Sequence, residues 1–165
     1  MISDTVTQKL TLIRQYLCTI KKKAIMKHNV NTNWKGNMKF DSLVSGHHVI
    51  MDAGDAVGGE DQGPRPKELM LSALAGCTGM DVVSILKKMR VELDNFNVNI
   101  EADVTEEHPK HYTAMHIIYE FTGKDLPLDK LEKAVKLSQD QYCGVSFMYK
   151  KAMAVTFEIK VIPSK

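Results

Sequence analysis

Cysteine is scarce in this sequence: Cys18, Cys77 and Cys143 are the only three among 165 residues. An odd, widely spaced set excludes both a disulfide framework and the close cysteine pairs of a zinc-binding loop. A reducing compartment follows, and the cytoplasm is the expected location. Charge of one sign is missing too. Lysine and arginine are spread among aspartate and glutamate for a net charge of +2, so neither a nucleic-acid partner nor a membrane surface is expected. The triple lysine Lys21-Lys22-Lys23 is a short solvated run. No long apolar run is unbroken. Lys9 and Arg14 interrupt the first, and the lysines follow it rather than precede it, which is not the order of a secretory signal. Ser72, Thr78, Asp81 and Ser84 interrupt the longest, which therefore does not read as a membrane span. Gly54, Gly58, Gly59 and Gly63 lack the GxGxxG or GKT/GKS order of a phosphate cradle. His47, His48, His108, His111 and His116 form neither an HExxH pattern nor a Cys-His cluster, so no metal centre and no cofactor are expected.

What is present is enough to build a core. With 44% hydrophobic and 25% charged residues the composition is that of a soluble globular protein, and the length suits one domain. The most apolar stretch begins after Pro64 and Pro66, where a missing N–H costs nothing, and closes on Lys87, Lys88 and Arg90, which complement the helix dipole. It predicts a helix from Pro66 to about Met89, apolar or small nearly all round and so enclosed by other elements, with Ala73, Ala75, Gly76 and Gly79 admitting close neighbours.

Elsewhere the periodicities separate cleanly. Val6, Leu10, Ile13, Leu17, Ile20 and Ala24 recur at helical spacing, giving an amphipathic helical extension over residues 1–26. Three short runs follow: alternation from His28 to Trp34, Met38 to Leu43 after a Gly36-Asn37 turn, and His48 to Met51. Asp52 to Gly63 is a glycine-rich loop feeding the helix. Phe96 to Val104 and Met115 to Phe121 alternate as paired strands around a loop at Glu106 to His111. Pro127 opens a second helix running to about Gln139, with Leu128, Leu131, Val135 and Leu137 inward. A short helix over Gly144 to Lys151 and a strand over Ala154 to Ile162 complete an α+β fold, an antiparallel sheet with a long central buried helix and a second helix.

Candidate chemistry rests on two sulfurs. A thiolate is the nucleophile, and cations or helix N-termini favour it while apolar burial opposes it. Cys77 sits on the buried helix, where a cysteine can equally pack as a small hydrophobe; Cys143 precedes a short helix whose amides can stabilise it. Spacing alone does not bring them together. Asp81, four residues after Cys77, shares nearly the same helix face. It could raise the thiol pKa, orient a cation, or bond a neighbouring backbone group.

The motifs Gly63-Pro64-Arg65-Pro66-Lys67-Glu68-Leu69, Ala75-Gly76-Cys77-Thr78-Gly79-Met80-Asp81 and Tyr142-Cys143-Gly144-Val145-Ser146 resemble those of the OsmC/Ohr family, thiol-dependent peroxidases acting on organic hydroperoxides. The likeness covers about Lys27 to Ile162, within an OsmC-like domain over residues 27–165. It implies an intertwined homodimer with active sites at the subunit interface. Cys77 would be oxidised to a sulfenate, Cys143 would resolve it as a disulfide leaving Cys18 free, and a dithiol, lipoyl-type among the options, would recharge it. The family's glutamate ten residues before the first cysteine is here Lys67, and Glu68, one residue off, lies half a turn from Cys77 and faces away. The partnering arginine of the N-terminal strands is absent, with Lys39 nearest and Arg65 able to approach from the loop. This pattern resembles a less characterised branch, in which Lys67 would replace the charge partner of Cys77. The alternative it leaves open is a non-peroxidatic OsmC-like dimer binding an apolar ligand or partner in the interface crevice.

Overall fold

The computed structural model describes residues 26–164. The amphipathic helix expected before residue 26, and Cys18 within it, lie outside the described residues. The first unit is an antiparallel meander of β1 (Asn31–Trp34), β2 (Phe40–Val44) and β3 (His47–Met51), in that order in the sheet. Its second turn is the two-residue loop Ser45-Gly46, with φ of 50° and 84°. Positive φ at both positions is the type I′ geometry that matches the twist of the flanking strands.

The loop after β3 is organised by one carboxylate. Asp52, buried, accepts from the backbone amides of Ala53 at 2.8 Å, Glu60 at 3.1 Å and Gln62 at 3.2 Å. Such a loop folds back on itself tightly. A Cβ on Gly59 would stand 2.0 Å from the Ala53 carbonyl oxygen, so only glycine fits. Arg65 then pins the loop to the start of the long helix, donating from Nη1 to the Gly63 carbonyl at 2.9 Å and pairing Nη2 with Asp61 at 2.5 Å.

The second unit carries the hydrophobic core. The long helix α1 (Pro66–Lys88) is followed by β4 (Asn95–Val104), β5 (Tyr112–Gly123), α2 (Leu128–Leu137), a π-turn at Ser138–Tyr142, α3 (Gly144–Ala152) and β6 (Ala154–Pro163). β4 and β5 pair antiparallel from Asn95 opposite Thr122 to Val104 opposite Tyr112. β6 joins the other edge of β5 in parallel, so the sheet runs β4-β5-β6 and its last connection carries the two short helices across the face. Leu74, Val82, Ile85 and Leu86 of α1 pack with Met115, Ile117, Tyr119 and Phe121 of β5 and with Leu131, Ala134 and Val135 of α2. Gly79 permits the close approach expected of it, with Val98 and Phe96 of β4 at 3.5 and 3.9 Å from where a Cβ would be. Length and composition alone would let Pro66–Lys88 cross a membrane, but its buried flank is that of a core helix.

Two expectations about burial need correction. Within the chain α1 is covered on one flank rather than all round: Met70, Met80 and Val83 face outward, Met80 at 72% exposure, and nothing approaches Gly76. Leu128 was expected inside α2 and is 51% exposed. Lys130 donates from Nζ to the carbonyl of Met89, just past the end of α1, tying the first turn of α2 to that end.

Candidate active site

A buried polar network sets the geometry of the two cysteines. Thr78, beside Cys77 on α1, shares hydrogen bonds with the Tyr119 hydroxyl at 2.5 Å and the Ser138 hydroxyl at 2.9 Å. Gln139 donates from Nε2 to the Tyr119 hydroxyl at 2.7 Å, while its Oε1 accepts from the Ser146 hydroxyl at 2.5 Å. Helix α1, strand β5, the π-turn and α3 are thereby tied at one point. Burying this many hydroxyls and an amide is tolerable only because each is bonded, and no buried side-chain nitrogen or oxygen among the described residues lacks a partner.

The π-turn then delivers Cys143. Its amide reaches back five residues to donate to the Ser138 carbonyl at 2.8 Å, and the side chain caps α3, with Sγ accepting from the Ser146 amide at 3.3 Å. Both thiols are free. Cys77 Sγ, Cys143 Sγ and a carboxylate oxygen of Asp81 all lie within 4.8 Å of one another. Asp81 is held there by the Ser138 hydroxyl, which donates to Oδ2 at 3.1 Å.

Electrostatics distinguish the two sulfurs. Burial pushes the Cys143 thiol up to about 11; the Ser146 amide pulls the other way, and the neighbouring Cys77 sulfur adds to the rise. Cys143, only 3% exposed, is therefore a protonated thiol at neutral pH. Cys77 is half-buried and accessible. Beside the pair opens a cleft of about 340 Å³ with Asp81 and Lys88 among its polar walls and Ile85, Met89, Leu137 and Tyr142 among its apolar ones.

Residues 59–158, which contain both cysteine motifs, match the OsmC-like protein family. The chain belongs to that family. The Escherichia coli protein YhfA is 36% identical over 118 residues, 72% of this chain and 85% of YhfA. A hypothetical protein of Aquifex aeolicus has a structure that superposes with a TM-score of 0.75 at 29% identity, over 86% of this chain and all of that one. The Bacillus subtilis organic hydroperoxide resistance protein OhrB superposes at 0.60 with 17% identity, over 83% of this chain and 100% of its own, a likeness of fold.

Of the candidate charge partners, Asp81 alone lies beside both sulfurs among the described residues. Lys67, expected to replace the family glutamate, instead donates to the Lys110 carbonyl at 3.2 Å, with its ammonium 5.8 Å from the Tyr112 ring centre. On a helix its ten-residue offset from Cys77 is about 15 Å of rise, too far for a direct contact. Lys39 pairs with Glu60 and Gln62 in the loop. Arg65 is committed to Asp61 and to loop carbonyls, and Glu68 is exposed near Arg65 and Tyr112. Thr78, Tyr119, Ser138, Gln139 and Ser146 were not foreseen. Their signal was faint but physical: Thr78 is a polar residue on the buried stripe of an apolar helix, and Ser138 and Gln139 end a helix whose inward face is otherwise aliphatic.

Proposed function

We propose that this OsmC-like protein is a homodimeric thiol peroxidase acting on organic hydroperoxides, with residues 27–165 as the working domain and 1–26 as an extension. The observation that carries the reading is the meeting of two free sulfurs, one accessible and one buried, within 4.8 Å. In the first step the Cys77 thiolate attacks the terminal peroxide oxygen of ROOH. The O–O bond breaks, Cys77 leaves as the sulfenic acid, and the alkoxide takes a proton to become ROH. In the second the Cys143 sulfur attacks the sulfenic sulfur, its proton and the sulfenic hydroxyl departing as water, and a disulfide forms. An external dithiol restores both thiols, which suits a reducing compartment such as the cytoplasm. Closing the sulfurs to a bond of about 2.05 Å asks for a side-chain rotation and a small shift of the π-turn.

Stoichiometric tert-butyl hydroperoxide is expected to give a Cys77 to Cys143 disulfide by peptide mapping, with Cys18 still alkylatable and dihydrolipoamide supporting turnover. Cys77→Ser should abolish consumption. Sulfinate at Cys77 with Cys143 still reduced, and unimpaired turnover in Cys143→Ser, would remove Cys143 from the cycle. The second reading, binding of an apolar molecule without chemistry, has its own support in the cleft beside Asp81 and in the engagement of Lys39, Arg65 and Lys67 elsewhere. It predicts no hydroperoxide consumption by fully reduced protein.

A further inference from the structure

We propose that Cys77, Asp81 and Cys143 together form a binding site for one thiophilic divalent cation of the zinc type. The histidine spacing gave no hint of a metal centre, because this ligand set is assembled by folding rather than by sequence proximity. Cys77 and Asp81 are one helical turn apart on α1, and Cys143 arrives at the N-cap of α3. Their three donor atoms lie within 4.8 Å of one another. Two thiolates bound to one tetrahedral zinc stand about 3.8 Å apart, given bonds of about 2.3 Å, so the set needs only small rotations to close on an ion.

The donor types select the ion. Two soft sulfurs disfavour magnesium and calcium, which demand oxygen shells, and a single carboxylate completes a set of three common for zinc. With three protein ligands the fourth position is left for water, and Asp81 also lines the adjoining cleft. The outer contacts are already formed. Ser138 donates to Asp81 Oδ2 at 3.1 Å and the Ser146 amide points at Cys143 Sγ at 3.3 Å, so a carboxylate and a sulfur are both oriented by neighbours. A cation binding here displaces the thiol protons and offsets the negative charge of the three donors confined to one small volume.

The site does not rest on the peroxidase reading, but the two interact. Held by the cation, neither sulfur is free to attack. In exchange with the bound form, the metal-free thiolates give two electrons to an organic hydroperoxide, which takes two protons from solvent and leaves as an alcohol and water. The remaining disulfide has no anionic sulfur to offer, so the cation is released.

The test uses the reduced full chain, freed of metal and kept anaerobic. Titration with Zn²⁺ against a chromogenic chelator is expected to give one equivalent per chain, with Cys77 and Cys143 protected from alkylation. Co²⁺ should add a thiolate-to-cobalt charge-transfer band and the visible absorption of a tetrahedral site. Asp81→Asn, nearly isosteric, should weaken binding at least tenfold, and Ser138→Ala by about tenfold through loss of the outer contact. Cys18→Ser should bind as the parent does. Absence of the charge-transfer band, or stoichiometric binding that survives Cys77→Ser or is lost in Cys18→Ser, would overturn the site. A cobalt spectrum without hydroperoxide consumption would remove the peroxidase and leave the metal site. Consumption without the spectrum would do the reverse.

Discussion

Above pH 9 the buried thiol of Cys143 becomes a liability for folding. Its folded pKa stands at about 11 against an ordinary 9.0, so the stabilisation is fully present below 9 and is lost as pH rises through 11. Thermal melts of the reduced protein should therefore decline over that window, and Cys143→Ala should flatten the decline; an unchanged slope would mean the thiol is more solvated than its 3% exposure implies. Asp52 has the opposite sign. Burial pushes its carboxyl up, but the amides of Gln62, Ala53 and Glu60 outweigh that and hold it below 3.8. Its contribution is present above the ordinary carboxyl pKa and fades on acidification. Asp52→Asn should lower the melting temperature at pH 7 and reduce the acid sensitivity, read by melts at descending pH. Lys67, bonded to the Lys110 carbonyl in the loop between β4 and β5, is expected to be silent at the sulfur: Lys67→Met should leave the pH profile of Cys77 alkylation where it is.

Among the elements, the junction of α1, β5 and the π-turn is the point most sensitive to a single change. Gln139→Leu keeps the volume but strips partners from Tyr119, Thr78 and Ser146, and stranding buried polar groups costs about 1–3 kcal/mol each at most. Denaturant unfolding should register a loss of that order, together with faster alkylation of Cys143 as its loop loosens. How far such elements could be read from sequence follows from the range of the forces that make them. Pro66 and Lys88 mark the ends of α1 because caps and dipole are local, and the two-residue period of β4 and β5 gave their pairing partners. The parallel seating of β6 depends on a crossover of two helices, which no short-range pattern encodes. The encounter of Cys77 with Cys143 depends on Thr78, Ser138 and Gln139 finding each other across some sixty residues, as in the Thr78 to Ser138 bond. Family motifs pointed to the two sulfurs, whereas the carboxylate of Asp81 beside them follows from helix geometry, one turn after Cys77 on the same face.

At the scale of the molecule the two sheets are unequal. The core is built entirely from residues after Gly63, whereas the buried positions of the first sheet and its loop are the polar Asp41, Ser42 and Asp52, and Trp34 is 66% exposed. Three strands without an apolar core are not stable by themselves. The bare flank of α1, with Met80 and Val83, is the other unfinished surface. The homodimer proposed above would supply each with a cover, so sedimentation is expected to give a dimer at micromolar concentration, and Met80→Asp to give a species that is unfolded or aggregated rather than a stable monomer. A well-folded monomer would refute this. The unequal sheets also bear on the order of events during synthesis. A ribosome releases the meander before the second unit exists, and β6 last. In the proposed dimer the meander would therefore wait, exposed and aggregation-prone, for a finished second copy to arrive. Yield in the cell should then depend on how closely two nascent chains are made in space and time, more than on the codons or stability of either one.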